Sequence, residues 1–152
     1  MIYFFQKTEN SYFAVGTFKD LSKKDISILN WLFSGAKLLD EQILSGRFIG
    51  PRKEMITPWS TNAVEITENC GIEGINRIEE FILESGYDHE FDPMLQAKYQ
   101  DPDQEVFTLD IQPDEIQYID DIASYNEKEG LALSVEEITF LEQVSKEIGR
   151  SL

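Results

Sequence analysis

Short strand-like runs alternate with capped helices along this chain, and that alternation limits its possible folds more than any other feature. Aromatic and β-branched residues at positions 2–5 and 12–15 flank four turn-forming residues, which predicts a β-hairpin. Two more short strands are expected at residues 38–39 and 47–49. Residues 105–111 alternate well, with Phe107, Leu109 and Ile111 on one side, which predicts another strand. Such short runs, joined by short links, are typical of an antiparallel sheet.

Four helices are expected between and after these strands. Ser22 can cap the first, with Asp25 three residues later, and the second spans about residues 59–70. A third should open at Pro113 and stop at Gly130. The last begins with a capping box formed by Ser134 and Glu137.

The sequence gives a weaker indication of secondary structure in two segments. Residues 75–83 fit either a helix or a strand, and residues 84–104 have the composition of a loop. The sequence therefore predicts an α+β fold, an antiparallel sheet with helices packed on one face, followed by a helical tail. We expect an N-terminal domain at residues 1–112 and a helical segment at residues 113–152.

The charge is distributed unevenly between the two halves. The formal net charge is -16, yet residues 1–78 hold nine acidic and nine basic side chains, whereas residues 79–152 hold 20 acidic and four basic ones. Nucleic acid and anionic membranes are disfavoured as partners because both require clustered Lys and Arg. Two interpretations of the acidic excess are open. It forms a solvated face that keeps the chain soluble, or it forms a surface that binds a basic partner.

The densest group of candidate functional residues lies between Gly50 and Asn62. Two prolines stiffen this segment, and Thr57 before Pro58 is typical of a helix start. Such a start can bind an anion. One interpretation is a rigid polar loop that faces an anion or another domain; the other is an ordinary capped helix with a Trp packed under it. The candidate site residues are Arg52, Thr57, Pro58, Trp59, Ser60, Thr61 and Asn62.

Other reactive residues form no convincing site. His89 is the only histidine, and its acidic neighbours are more typical of a solvated loop than of a metal site. The acidic run that begins at Asp101 opens like a calcium loop but lacks the required residues at Val106 and Gln112. Cys70 is the only cysteine and lies at a helix C-terminus, the wrong end for a nucleophile. We expect no catalytic residue and no metal site.

A longer motif resembles a known family. Residues 50–72 read GPRKEMITPWSTNAVEITENCGI and resemble the N-terminal domain of large single-chain phosphoribosylformylglycinamidine synthases, whose hallmark is P-R-x-x-x-x-[ST]-P-W-S-[ST]-x-A before a helix that ends N-C-G. Residues 130–150 are similar to the start of that family's linker domain. The matching positions of the first motif are Pro51, Arg52, Thr57, Pro58, Trp59, Ser60, Thr61, Ala63, Asn69, Cys70 and Gly71.

The resemblance implies a part of a purine-biosynthesis amidotransferase. The full enzyme uses ATP, magnesium and glutamine to convert formylglycinamide ribonucleotide to its amidine. The resemblance implies that this chain needs no cofactor of its own, resembles the small subunit of split enzymes, and joins the synthetase and glutaminase domains of one cytoplasmic polypeptide. We expect the chain to be cut from that longer ligase. The alternatives are a stand-alone enzyme or metal-binding domain around His89 and a free-standing acidic interaction module.

Overall fold

The structure, a computed structural model, describes residues 1–151 and separates into two compact units, Met1–Asp110 and a second that begins at Ile111. Whether these units are the two expected functional domains stays a prediction. The first unit consists of β1 (Ile2–Gln6), β2 (Ser11–Thr17), α1 (Lys23–Leu32), β3 (Lys37–Leu38), β4 (Arg47–Pro51), α2 (Pro58–Asn69), β5 (Ile75–Leu83), a short 3₁₀ turn (Glu84–Gly86) and β6 (Gln96–Gln100).

The six strands form one sheet in the order β3-β1-β2-β5-β4-β6, and every neighbouring pair is antiparallel. Helices α1 and α2 lie on one face. There Phe33 follows α1 and packs its ring edge-on against Phe5 at 5.3 Å and stacked on Phe13 at 4.4 Å. The predicted α+β fold with helices on one face is confirmed.

Loops cover the opposite face of the sheet. A second apolar core there joins strand residues to Leu44 and Val106, which come from the loops before β4 and after β6. The strands alternate between the two cores because successive side chains of a strand point to opposite faces. The strand members of this second core are Ile2, Phe4, Ala14, Phe48 and Phe81.

The ambiguous segment at residues 75–83 is strand β5, in the middle of the sheet. Both of its faces are largely buried, so its apolar residues do not alternate cleanly with polar ones. This pattern explains why the sequence could not distinguish a helix from a strand.

Two expectations in the first unit are wrong. Residues 104–107 form a turn, residues 108–111 have no regular structure, and the Thr108 amide donates to the Glu105 carbonyl at 2.9 Å. Of the alternating apolar residues, Phe107 packs against the second apolar core, whereas Leu109 and Ile111 are exposed. The predicted loop at residues 84–104 contains the edge strand β6. That strand was missed because three of its five residues are polar, as edge strands often are.

The second unit contains α3 (Ile122–Glu129) and α4 (Val135–Ile148). The Ser134–Glu137 capping box is present as predicted, and the hydrogen bonds that Ser134 donates hold the pKa of Glu137 below its usual range. The expected helix start at Pro113 is wrong by nine residues. Asp121 accepts a hydrogen bond from the Ser124 amide at 3.1 Å, and this cap sets the start of α3 at Ile122.

None of the helices in residues 1–151 combines the length and the apolar composition that crossing a bilayer requires.

Candidate docking surface

The candidate segment begins where β4 leaves the sheet. β4 pairs with β5 only at Phe48 and Ile49, and after Pro51 the chain turns away. The adjoining edge of β5 therefore needs other hydrogen-bond partners. Ser60, in the first turn of α2, supplies one: its fully buried hydroxyl accepts the Ile78 amide at 3.0 Å. We call residues 52–62 the docking segment.

Glu79 of β5 holds the start of α2 against the sheet. Its carboxylate accepts the Thr57 amide at 3.1 Å and the Thr57 hydroxyl at 2.7 Å, and it is 1% exposed. The Thr57 hydroxyl in turn accepts the Ser60 amide at 3.0 Å, which is the predicted N-cap. The helix start is therefore bonded to the sheet through one buried carboxylate.

Arg77 holds the preceding loop to the same strand. Its guanidinium donates to the carbonyls of Lys53 at 2.8 Å, Arg52 at 3.1 Å and Met55 at 2.8 Å. Its Nε also donates to Glu79 at 3.1 Å, so the two buried charges neutralise each other. We call Arg77 and Glu79 the clamp pair.

Two aromatic residues complete this arrangement. The Phe107 ring lies 4.5 Å from the Arg77 guanidinium, a cation–π contact that also shields the charge from water. The Tyr99 hydroxyl donates to the Pro51 carbonyl at 2.6 Å. Burial raises the pKa of Tyr99 to about 12. The segment is thus anchored just before its first residue as well as along its length.

The predicted site residues divide into anchors and exposed groups. Thr57 and Ser60 are anchors, whereas Pro58, Thr61 and Asn62 are exposed. Trp59 is 47% exposed, with one face stacked parallel to Phe13 at 5.8 Å. One face of Trp59 is therefore packed on the sheet, and about half of the side chain faces outward.

Arg52 and the helix start already have carboxylate partners. Arg52 Nε lies 3.4 Å from Glu54, and the Thr57 amide at the start of α2 donates to the Glu79 carboxylate. An anion at this place would meet two negative charges besides the positive ones. Whether the segment binds an anion or another domain stays a prediction.

A groove of about 480 Å³ opens beside the docking segment. Thr57 and Trp59 border it, and its floor includes Ile49 of β4 and Ile82 of β5. Trp59 also lines a second depression of about 280 Å³ on the helix side, together with Asn62 and Ile66. The remaining residues of the larger groove are Gly50, Pro51, Glu79, Glu80, Tyr87, Asp92, Leu95 and Gln96.

Large apolar side chains are exposed on and beside this segment. Met55, Ile56, Trp59 and Ile66 each leave about half of their surface open, within 12 positions of the chain. Exposed apolar surface marks interaction sites where its side chains cluster, as those of Trp59 and Ile66 do in the second depression. Combined with a backbone held by buried charges, it forms a preorganised apolar surface.

The clamp pair is not among the candidate residues that the sequence predicts. Arg77 and Glu79 stand two positions apart in β5, at alternate positions with Phe81 of the second apolar core. Two opposite charges on an otherwise apolar strand face indicate a buried ion pair. That signal was visible, but the loop that the pair holds is 22–25 positions away.

The other candidate residues serve local structure. The Asp101 carboxylate accepts the Gly46 amide at 2.7 Å, and this bond holds the pKa of Asp101 below its usual range. His89 is exposed and contacts the Tyr87 ring edge-on at 5.7 Å. Within residues 1–151, no three His, Cys, Asp or Glu side chains are close enough to hold a metal ion together. The expected lack of a metal site stays a prediction.

A family comparison covers the whole docking segment. The sequence model described as formylglycinamide ribonucleotide amidotransferase N-terminal matches residues 10–106. The chain belongs to this family. The resemblance to phosphoribosylformylglycinamidine synthase is thereby confirmed, since both names denote the same purine-biosynthesis enzyme. The similarity of residues 130–150 to the linker domain lies outside the matched range and stays a prediction.

Proposed function

We propose that this chain is a non-catalytic N-terminal domain of a formylglycinamide ribonucleotide amidotransferase that couples its glutaminase and synthetase parts. The family match supports the placement in that enzyme. The exposed apolar side chains of Met55, Ile56 and Trp59 on a rigid segment carry the docking role. A rigid, partly apolar surface binds another domain with little loss of conformational entropy.

The polar groups of the docking segment support docking more than chemistry. The Ser60 hydroxyl is buried on a strand amide, and the Thr57 hydroxyl is engaged with Glu79. A nucleophile needs an accessible oxygen and an adjacent base. The groups that face outward are instead Trp59, Thr61 and Asn62, which are suited to contact another surface.

The proposal assigns the cofactors to the other domains of the enzyme and makes those domains the partners of this chain. ATP and magnesium would be used by the synthetase domain, and this chain would hold neither. Its partners would be the synthetase and glutaminase domains of the same polypeptide, in the cytoplasm, with no nucleic acid and no membrane involved. The 29 acidic against 13 basic residues support the exclusion of nucleic acid, because phosphate contacts require basic clusters.

The test compares two nitrogen sources in the full-length enzyme. Asn62→Ala and Arg52→Ala should each lower glutamine-dependent turnover more than ammonia-dependent turnover, since ammonia from solution bypasses the coupling step. Asn69→Ala, an exposed asparagine at the other end of α2, is the matched control and should change neither rate. Equal losses with both nitrogen sources would assign the segment to synthetase chemistry, and no loss would leave it an ordinary helix start.

The alternative is a free-standing acidic interaction module, which the concentration of carboxylates after residue 79 favours. An immunoblot of the source cells separates the two proposals. A band near 17.5 kDa supports the module, whereas a much larger band supports the domain of a long enzyme.

A further inference from the structure

We propose that Arg77 and Glu79 are positioning residues, which set the backbone conformation of residues 52–57 so that the docking segment fits its partner domain. This inference rests on the proposed function and adds to it the pair that determines the shape of the surface. Neither residue belongs to the exposed segment itself, because both lie in β5.

The bonds of Arg77 have a specific geometry. A planar guanidinium carries five donors in a fixed fork, and Arg77 uses them on three backbone carbonyls and one carboxylate. Three carbonyls within four consecutive residues then point toward one side chain. An isolated loop would not hold this arrangement, since each carbonyl could turn to water instead.

Glu79 extends the same constraint to the helix. It receives Arg77 on one oxygen and bonds Thr57 through both oxygens. The loop carbonyls and the first residue of the capped helix are therefore linked through two side chains that are almost completely buried. Met55 and Ile56, the exposed apolar residues between these anchors, are held at both ends.

Arg77→Lys separates the effect of the positive charge from that of the donor geometry, because lysine carries an ammonium in place of the planar guanidinium. Its ammonium can still pair with Glu79, but its donors radiate from one atom and cannot reach three separate carbonyls. Arg77→Lys should therefore keep the fold and loosen residues 52–57. Arg47→Lys, at an exposed arginine of β4, is the matched control.

Trypsin reports on the loop directly. It cleaves after Arg52 and Lys53, and those two carbonyls are bonded to Arg77. In the 152-residue chain, Arg77→Lys should speed cleavage at these bonds by about tenfold or more, because an opened loop offers its carbonyls to the protease. Cleavage after Lys7, in the exposed turn of the β1–β2 hairpin, is the internal reference. Unchanged cleavage after Arg52 and Lys53 would overturn the clamp, whatever the function of the domain.

The second readout is the nitrogen-source ratio in the full-length enzyme. We expect Arg77→Lys to lower glutamine-dependent turnover at least fivefold and to leave ammonia-dependent turnover within twofold. A loosened loop with an unchanged ratio, while Asn62→Ala does change it, would overturn the positioning role and leave the proposed function standing. An unchanged ratio in both variants would refute the proposed function, and this inference with it.

A second pair of variants covers the case in which Arg77→Lys does not fold. Thr57→Val removes the hydroxyl that bonds Glu79, whereas Thr57→Ser keeps it. The valine variant should lose glutamine-dependent turnover and the serine variant should retain it. Equal rates in the two would contradict the link from Glu79 to the helix start.

Discussion

The strongest stability prediction concerns the carboxylate of Glu79. Glu79→Gln keeps the side-chain volume but removes the negative charge, which leaves the Arg77 guanidinium buried without its counterion. Breaking a buried pair by removing one partner costs about 3–5 kcal/mol. Glu79 also accepts two bonds from Thr57, and only part of that pattern survives with an amide. We expect a loss near the upper end of that range.

A matched control lies in the same unit. Glu73 pairs with Lys19 at 3.2 Å, almost the 3.1 Å of the buried pair, but the Glu73 side chain is 85% exposed. Exposed ion pairs contribute about 0–1 kcal/mol because water and salt screen them. Glu73→Gln should therefore cost less than about 1 kcal/mol.

Urea unfolding followed by circular dichroism measures both losses as free energies of unfolding in water. The two ion-pair distances are nearly equal, so the comparison measures the combined effect of burial and of the two additional bonds from Thr57. Equal losses of unfolding free energy in Glu79→Gln and Glu73→Gln would refute the argument that the buried pair contributes more to stability than the exposed pair. A Glu79→Gln loss below about 1 kcal/mol would show that Arg77 finds sufficient partners among the loop carbonyls alone.

Three further changes test other parts of the first unit. Gly50→Ala should destabilise the chain by about 1–3 kcal/mol in urea, because the added Cβ would lie 2.5 Å from the Phe81 ring. Trp59→Ala should cost less than the roughly 3–5 kcal/mol of a buried Trp, since only the face stacked on Phe13 is covered; a full-sized loss would contradict the observed exposure. Stability should fall as the pH rises from 10.0 toward 12, because the folded state holds the Tyr99 phenol protonated above its ordinary pKa, and Tyr99→Phe should reduce this dependence in unfolding curves measured across that range.

Local chemistry made the helix starts predictable. Ser22 with Asp25, Thr57 with Pro58, and Ser134 all cap helices in the structure as they were expected to. These signals are contained within four residues, so no tertiary information is needed to recognise them. The start of α3 is the exception. The sequence offers two start signals, Pro113 and Asp121, and the helix begins after Asp121, whose side chain accepts a hydrogen bond from the Ser124 amide.

Long-range contacts made the remainder unpredictable. A run becomes a strand only where a neighbouring strand is available to pair with: residues 96–100 pair with β4, whereas residues 105–111 contain part of a turn and no strand. The docking segment was found because its residues are consecutive. Its anchors Arg77 and Glu79 were missed because their role depends on carbonyls more than 20 positions away, and backbone carbonyls carry no residue identity.

β4 pairs with β5 only at Phe48 and Ile49, although it stays paired with β6 as far as Pro51. The conformation of the residues that follow it is therefore set outside the strand ladder. In a continuous ladder, an inserted residue shifts the register and turns the following side chains to the wrong face. Here the segment meets β5 through side chains, so its length and composition can change while the strand pairing stays intact. A foreign loop should be accepted in place of residues 52–56 if it presents three carbonyls to Arg77 and ends on a capping threonine. The first unit is thus a scaffold in which one short surface segment should be exchangeable while the strand pairing is kept.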